Sequence, residues 1–221
     1  VSKQFWAVII AIIVIVGGLL IFTGKSSGNG APSNHVEGSA SSGVKLIEYG
    51  DYECPYCGQF YPYIKQAMDA NKDKVQFQFI NLPLSSAHPN AFAGARAAEA
   101  AALQNKFWEM HDKLYEENEL YTQAQQQNQT YNTWINSKNP LDQYFVGYAQ
   151  QLGLNTNQFK TDFASAKVNN TINADINKFK KLGLDESTPT FLLDGKQIHP
   201  GYNVADFQKA IDAELAAKGK K

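Results

Sequence analysis

The feature that most limits what this chain can fold into is a short passage where an apolar run hands over to two cysteines. Val44 to Tyr49 reads as a buried strand, and Gly50-Asp51 breaks it. Cys54-Pro55-Tyr56-Cys57 follows at once, opening a helical pattern in which Phe60, Tyr63, Ile64, Ala67 and Met68 share one face. The start of a helix presents unpaired N–H groups and about half a positive charge, which stabilise a thiolate. Cys54 is therefore expected to ionise below the ordinary thiol pKa of about 8.5. Pro55 suits the first turn, where its missing N–H costs nothing.

Two other uses of the cysteines fit less well. Structural zinc wants four ligands, but the 221 residues contain only this pair of cysteines, and His35, His88, His111 and His199 lack ligand spacing. No metal is expected. A disulfide that closes so short a loop removes little chain entropy, so a stapling role is poorly motivated. Redox chemistry is the better reading. No phosphate-binding glycine loop follows any strand, and no cofactor is expected.

A second feature lies far along the chain. Glu186-Ser187-Thr188-Pro189-Thr190 precedes a short strand, Phe191 to Leu193, which ends in Asp194-Gly195. Together with Cys-Pro-Tyr-Cys after a strand, Thr-Pro-Thr-Phe before a late strand resembles the thioredoxin superfamily. The resemblance implies that Pro189 is cis and lies with Thr188 beside the sulfurs. It also implies that Pro62 is the proline of the active-site helix. About a hundred residues of mostly helical pattern separate Val75–Ile80, the second strand, from Pro189. That interval resembles the helical insertion of the DsbA-like branch, the DsbA/BdbD type. Phe107-Trp108-Glu109-Met110-His111-Asp112 and His88-Pro89 with its alanine-rich run are similar to stretches of the same branch. Glu48 stands where such enzymes carry a buried acid. The resemblance implies Cys54 as the accessible thiolate and Cys57 as the buried resolving partner. Pro189 and Thr188 would hold the substrate strand, Glu48 would assist proton transfer, and Pro55, Tyr56 and Pro62 would support the motif.

The expected fold is α/β: a thioredoxin-like fold with a helical insertion domain, preceded by one transmembrane helix. Phe5 to Phe22 carries no charge, and at about 1.5 Å per residue it spans roughly 27 Å, near the thickness of a bilayer core. Residues 1–23 are therefore expected to be an uncleaved single-pass anchor, the alternative being a cleaved signal. Residues 24–43, rich in Gly and Ser, read as a flexible linker spanning some 25 Å, with His35 solvated in it. The domain then divides into 44–84, a helical insertion over 85–182, and 183–221. Within the insertion, Ala91, Ala95, Ala98, Ala102, Leu103, Phe107, Met110 and Leu114 recur at helical spacing as a core stripe. Gln123 to Asn139 is polar and reads as a loop. His111 is expected to be hydrogen-bonded or exposed and not catalytic. A hairpin through Asp194-Gly195 and a final helix capped by Asn203 close the chain.

A net charge of −1 gives no argument for nucleic acid. Asp51 and Glu53 put negative charge beside Cys54 and oppose the helix terminus, so a less extreme thiolate is expected than in the strongest oxidants. Pro-Tyr between the cysteines is shared with reducing glutaredoxins and leaves the direction of exchange open. Three readings stand: an extracytoplasmic, membrane-anchored enzyme that inserts disulfides into exported proteins with free thiols; a reductase or isomerase on the same scaffold; and a peptide-binding chaperone with an incidental disulfide. The resemblance implies a membrane quinone-linked reoxidase of the DsbB or vitamin K epoxide reductase type as partner.

Overall fold

The computed structural model describes residues 30–125 and 141–219. The expected anchor, the linker before Gly30, and residues 126–140 of the polar segment lie outside the described residues. No helix among the described residues is long and apolar enough to cross a membrane.

Five strands form one sheet: β1 (His35–Gly38), β2 (Val44–Gly50), β3 (Val75–Asn81), β4 (Thr190–Leu193) and β5 (Lys196–Ile198). Their spatial order is β1-β3-β2-β4-β5. Only β2 and β3 run parallel, joined by the crossover helix α1 (Pro55–Asn71); the other neighbours are antiparallel. β2 is central, so alternation along it serves two cores. Val44 and Leu46 pack with Phe77 and Phe191 against Phe60, Ile64 and Met68 of α1 and Phe207, Ile211 and Leu215 of the last helix, Val204–Ala217. Tyr49 packs on the other side with Ile80, Leu192 and Phe179, which belongs to a helix over Ala166–Lys180. In chain order the helices after α1 are α2 (Ala91–Ala102), α3 (Phe107–Gln125), α4 (Leu141–Gln151), α5 (Thr156–Phe163), α6 (Ala166–Lys180) and α7 (Val204–Ala217).

The inserted helices α2 to α6 lie in sequence between β3 and β4, as the helical pattern predicts. Their core joins alanines of α2 to Phe107, Met110, Leu114, Tyr115, Phe145, Tyr148 and Phe159, and it includes both cysteines. The alanine-to-Leu114 stripe is two helices, not one. The chain turns at Asn105, which takes a left-handed conformation with φ of 59°, and Lys106 N–H bonds back to Ala101. His111 is buried and bonded through Nδ1 to Asp112 (3.2 Å), as one of the two expectations for it had it. Asp194 and Gly195 both take positive φ, as a tight hairpin turn requires, and Asn203 Oδ1 accepts the Asp206 N–H at 2.9 Å to cap α7.

The linker expectation for 24–43 is corrected at its second half. His35 to Gly38 is the edge strand β1, paired along Phe79 to Gln76 of β3. The His35 ring, expected to be solvated, stacks on Phe107 with centroids 3.5 Å apart, and its Nε2 lies 2.9 Å from Glu99 Oε1. Two residues earlier, Ser33 donates from its N–H (2.7 Å) and its hydroxyl (2.8 Å) to the carboxylate of Asp175 on α6. Asn81 Nδ2 also donates to Asp175 (3.0 Å) and to Glu99 (2.7 Å). The physical reason for the miss is distance along the chain: a strand this short is held by partners about 40 to 70 residues away, and the segment before it by Asp175, 142 residues from Ser33.

Asp175 is fully buried, and its removal leaves several donors without an acceptor. Asp175→Ala is therefore expected to lower unfolding stability by about 2–4 kcal/mol in urea titrations, and Ser33→Ala by about 1 kcal/mol. Equal stability of Asp175→Ala and the parent would show that the segment before β2 is not stitched to the fold.

Candidate active site

β2 ends at Gly50, and a tight turn carries the chain to Cys54, the residue that caps α1 with extended backbone. Pro55 occupies the first helical turn, Cys57 faces inward from the same turn, and Tyr56 points out, 59% exposed. Pro62 lies inside α1. Gly58 follows Cys57 because a Cβ there would collide with the side chain of Asn118. On the other side of β2, register with β4 sets Glu48 opposite Phe191 and Tyr49 opposite Thr190. Thr188, two residues ahead of Thr190, thus lands beside the end of β2, with the Thr188–Pro189 bond cis.

The cysteines are free thiols. Cys54 Sγ lies 3.4 Å from the Thr188 carbonyl oxygen, which accepts its S–H. The expected accessibility of Cys54 is corrected: it is 2% exposed, against 0% for Cys57, because the Thr188 backbone packs on its sulfur. The sites differ in electrostatics more than in depth. The Cys54 pKa falls from 9.0 to about 6, chiefly because the Cys57 thiol donates to its sulfur. Burial opposes this, while the Thr188 hydroxyl and the Cys57 backbone N–H support it. The Thr188 hydroxyl is buried and makes no hydrogen bond of normal geometry. Cys57 is pushed well above the ordinary thiol value, first by burial and then by its role as donor to Cys54. Glu48, buried in β2, is raised to about 8 by burial and by the Cys54 charge, against the nearby Tyr115 hydroxyl.

These values have a redox consequence. With a pKa of about 6 folded against 9.0 unperturbed, ionisation of Cys54 favours the reduced form at neutral pH. That preference grows as pH rises toward 9.0 and is lost as it falls through about 6. A thiolate stabilised in this way makes the disulfide more oxidising.

Of the residues expected at the site, the structure brings together Cys54, Cys57, Thr188, Pro189 and Glu48, with Pro55 and Tyr56 in the first turn of the helix. It adds residues that the sequence reading passed over. Asn118 on α3 donates its Nδ2 to the carbonyls of Tyr52 (2.9 Å) and Cys54 (3.0 Å), clamping the cysteine turn from the insertion. The available signal was a polar residue four places after Leu114 on an otherwise apolar stripe. Asp51, read only as a charge that weakens the thiolate, is buried and accepts from Glu53 N–H (2.8 Å), Leu84 N–H (2.9 Å) and His88 Nδ1 (2.8 Å). Glu53 accepts from Asn90, through the backbone N–H and through Nδ2 (3.2 Å), and burial raises its pKa.

A protein-family model described as Thioredoxin matches residues 31–213. The chain is 33% identical over 183 residues to the Na(+)/H(+) antiporter NhaA 1 of Salinispora arenicola (strain CNS-205), a match covering 83% of this chain and 25% of that protein. The chain thus spans about a quarter of the length of this relative. It is 26% identical over 216 residues to the probable disulfide bond formation protein D of Bacillus anthracis, covering 93% of this chain and 92% of that one. The crystal structure of oxidised BdbD from Bacillus subtilis superposes with a TM-score of 0.65 at 22% identity, over 85% of this chain and 97% of that one.

The asymmetry of the cysteines is measurable as pH dependence. Alkylation of Cys54 is expected to follow a single ionisation near pH 6 and to slow about tenfold per pH unit below it. In Cys57→Ala, which removes the main donor to the sulfur, that midpoint should move upward. An unchanged midpoint would show that Cys57 is not what stabilises the thiolate.

Proposed function

Because the chain belongs to the thioredoxin family, we propose that it is a DsbA/BdbD-type thiol:disulfide oxidoreductase that inserts disulfide bonds into exported proteins. The observation that carries this reading is the pair of unequal thiols at one helix start, Cys54 pulled down to about 6 and Cys57 pushed up, with Thr188 against the first sulfur.

In the oxidising direction a substrate thiolate attacks Cys54 of the disulfide and the Cys54–Cys57 bond breaks. Cys57 leaves with the electron pair and takes a proton, for which Glu48, whose pKa is raised chiefly by burial, is the nearby donor. A second substrate thiolate then attacks the substrate sulfur of the mixed disulfide. Cys54 departs as a stable thiolate, and low leaving-group pKa speeds this step. The substrate loses two electrons and gains its disulfide. Thr188 and Pro189 offer backbone to the substrate chain beside Cys54.

We place the reaction on the extracytoplasmic side of a membrane, with Phe5 to Phe22 as the anchor, on the strength of that uncharged apolar run. We propose a membrane quinone-linked oxidase of the DsbB or vitamin K epoxide reductase type as the reoxidant, supported by the family resemblance. The likeness to the probable disulfide bond formation protein D, which runs nearly end to end, supports the oxidising direction.

Equilibration with glutathione buffers tests the direction. The oxidase reading expects a potential between about −200 and −120 mV, and a value below about −250 mV would overturn it. Cys54→Ala should abolish disulfide transfer to a reduced test protein, whereas Cys57→Ala should accumulate mixed disulfides that mass spectrometry can identify. Undiminished assistance to the folding of a cysteine-free protein in Cys54→Ala would instead indicate a chaperone.

A further inference from the structure

The Asp51 carboxylate is an unexpected neighbour for a site that stabilises an anion. It raises the Cys54 pKa through its charge, and it is buried, so water does little to screen it. Its position is nevertheless built in. Two backbone N–H groups, from Glu53 and Leu84, and the ring of His88 all donate to it. His88 sits in the loop between β3 and α2, with its Nδ1 2.8 Å from Asp51 Oδ2 and its side chain only 19% exposed. Among the described residues, the titratable groups that act on the ring are Asp51 and Glu53 from the turn ahead of α1 and the Cys54 sulfur at the helix cap.

Building on the oxidoreductase reading, we propose that His88 is a positioning residue for exchange: its imidazolium, held on Asp51, offsets the carboxylate that faces Cys54. Through it, the state of the cysteine pair is linked to a proton on the ring. All three facing groups favour the charged ring, with the hydrogen bond to Asp51 the largest influence and burial opposing it. The coupling between ring and sulfur is reciprocal. Whatever the thiolate adds to the ring's affinity for a proton, the protonated ring adds to the stability of the thiolate. In the disulfide form Cys54 carries no charge, and this contribution to the ring disappears.

The proton count follows. A substrate dithiol that becomes a disulfide gives up two electrons and two protons. The electrons open the Cys54–Cys57 bond, and one proton ends on Cys57. The other goes to solvent while Cys54 remains a thiolate, or onto His88 in the pH window where only the reduced form holds the ring charged. Asp51 then does two things that neither sequence position suggests alone. It fixes the turn ahead of Cys54, and it anchors the cation that cancels its own charge.

The ring proton of His88 can be followed by NMR against pH in the full chain, oxidised and reduced, with His88→Gln supplying the assignment. The reduced form is expected to titrate about half a pH unit or more above the oxidised form, a roughly threefold difference in proton affinity. Independently, His88→Gln should raise the Cys54 midpoint and slow alkylation about threefold at pH values well below 6. Asp51→Asn should lower that midpoint, and adding His88→Gln to Asp51→Asn should then change little. A ring midpoint that is the same in both redox states, or an unmoved Cys54 midpoint in His88→Gln, would overturn the proposal while glutathione exchange still proceeds. Absence of exchange in the parent protein would overturn the oxidoreductase reading and this inference with it.

Discussion

Everything at the site depends on donors converging on one sulfur. The Cys57 thiol and backbone N–H come from the first turn of α1, and Thr188, which packs on the sulfur, comes from the segment that enters β4. These segments lie more than 130 residues apart, and the sheet makes them neighbours. β2 is paired on one side with β3 in parallel and on the other with β4 in antiparallel, Tyr49 opposite Thr190. A slip of one residue in the β2–β4 register would carry Thr188 off the sulfur and turn every β4 side chain to the other face. The two cores that fill the faces of β2 therefore do more than stabilise the fold. They hold the register that places Thr188 beside Cys54.

Burial acts on three groups here with different outcomes. It penalises charge on Cys54, Cys57 and Glu48 alike, yet Cys54 escapes because donors outweigh the penalty, whereas Cys57 and Glu48 do not. The result is an anion beside a thiol and a carboxyl that keeps its proton at neutral pH. Groups whose environments push their pKa values apart are how one site supplies both a leaving anion and a proton source. The insertion contributes directly to this arrangement. Asn118 reaches from α3 to hold the carbonyls of Tyr52 and Cys54, and Tyr115 of the same helix faces Glu48.

The legible parts of this structure were those written in local pattern. An apolar run marked β2, the alternation of Val75 to Ile80 marked β3, the Cys-Pro-Tyr-Cys helix start marked α1, and Thr188-Pro189 before an apolar triplet marked β4. Asp194-Gly195 and Asn203 announced a turn and a cap whose geometry the structure bears out. What stayed hidden was set by partners far away. Nothing local distinguishes His35-Val36-Glu37-Gly38 from the Gly- and Ser-rich stretch around it, since the strand exists only by pairing with β3 and by the stack of His35 on Phe107. The break between α2 and α3 was masked because the apolar spacing continues through it, and only the left-handed Asn105 reveals the turn. The covering of Cys54 by the Thr188 backbone was also beyond local pattern, because it is a contact between two ends of the domain.

The acids around the cysteines show why a charge count misleads at such a site. In the linear chain Glu48, Asp51 and Glu53 are three negative charges within six residues of Cys54, enough to argue against a stable thiolate. In the folded protein each is dealt with by a different means. Glu48 is stripped of water in the middle of the sheet and keeps its proton. Glu53 turns to Asn90, which donates twice. Asp51 cannot be removed, because its oxygens shape the turn that delivers Cys54, so it is matched with donors from the loop after β3, among them a histidine. The depressed pKa of Cys54 thus coexists with three neighbouring carboxyl groups, and the helix terminus is not opposed by three full charges.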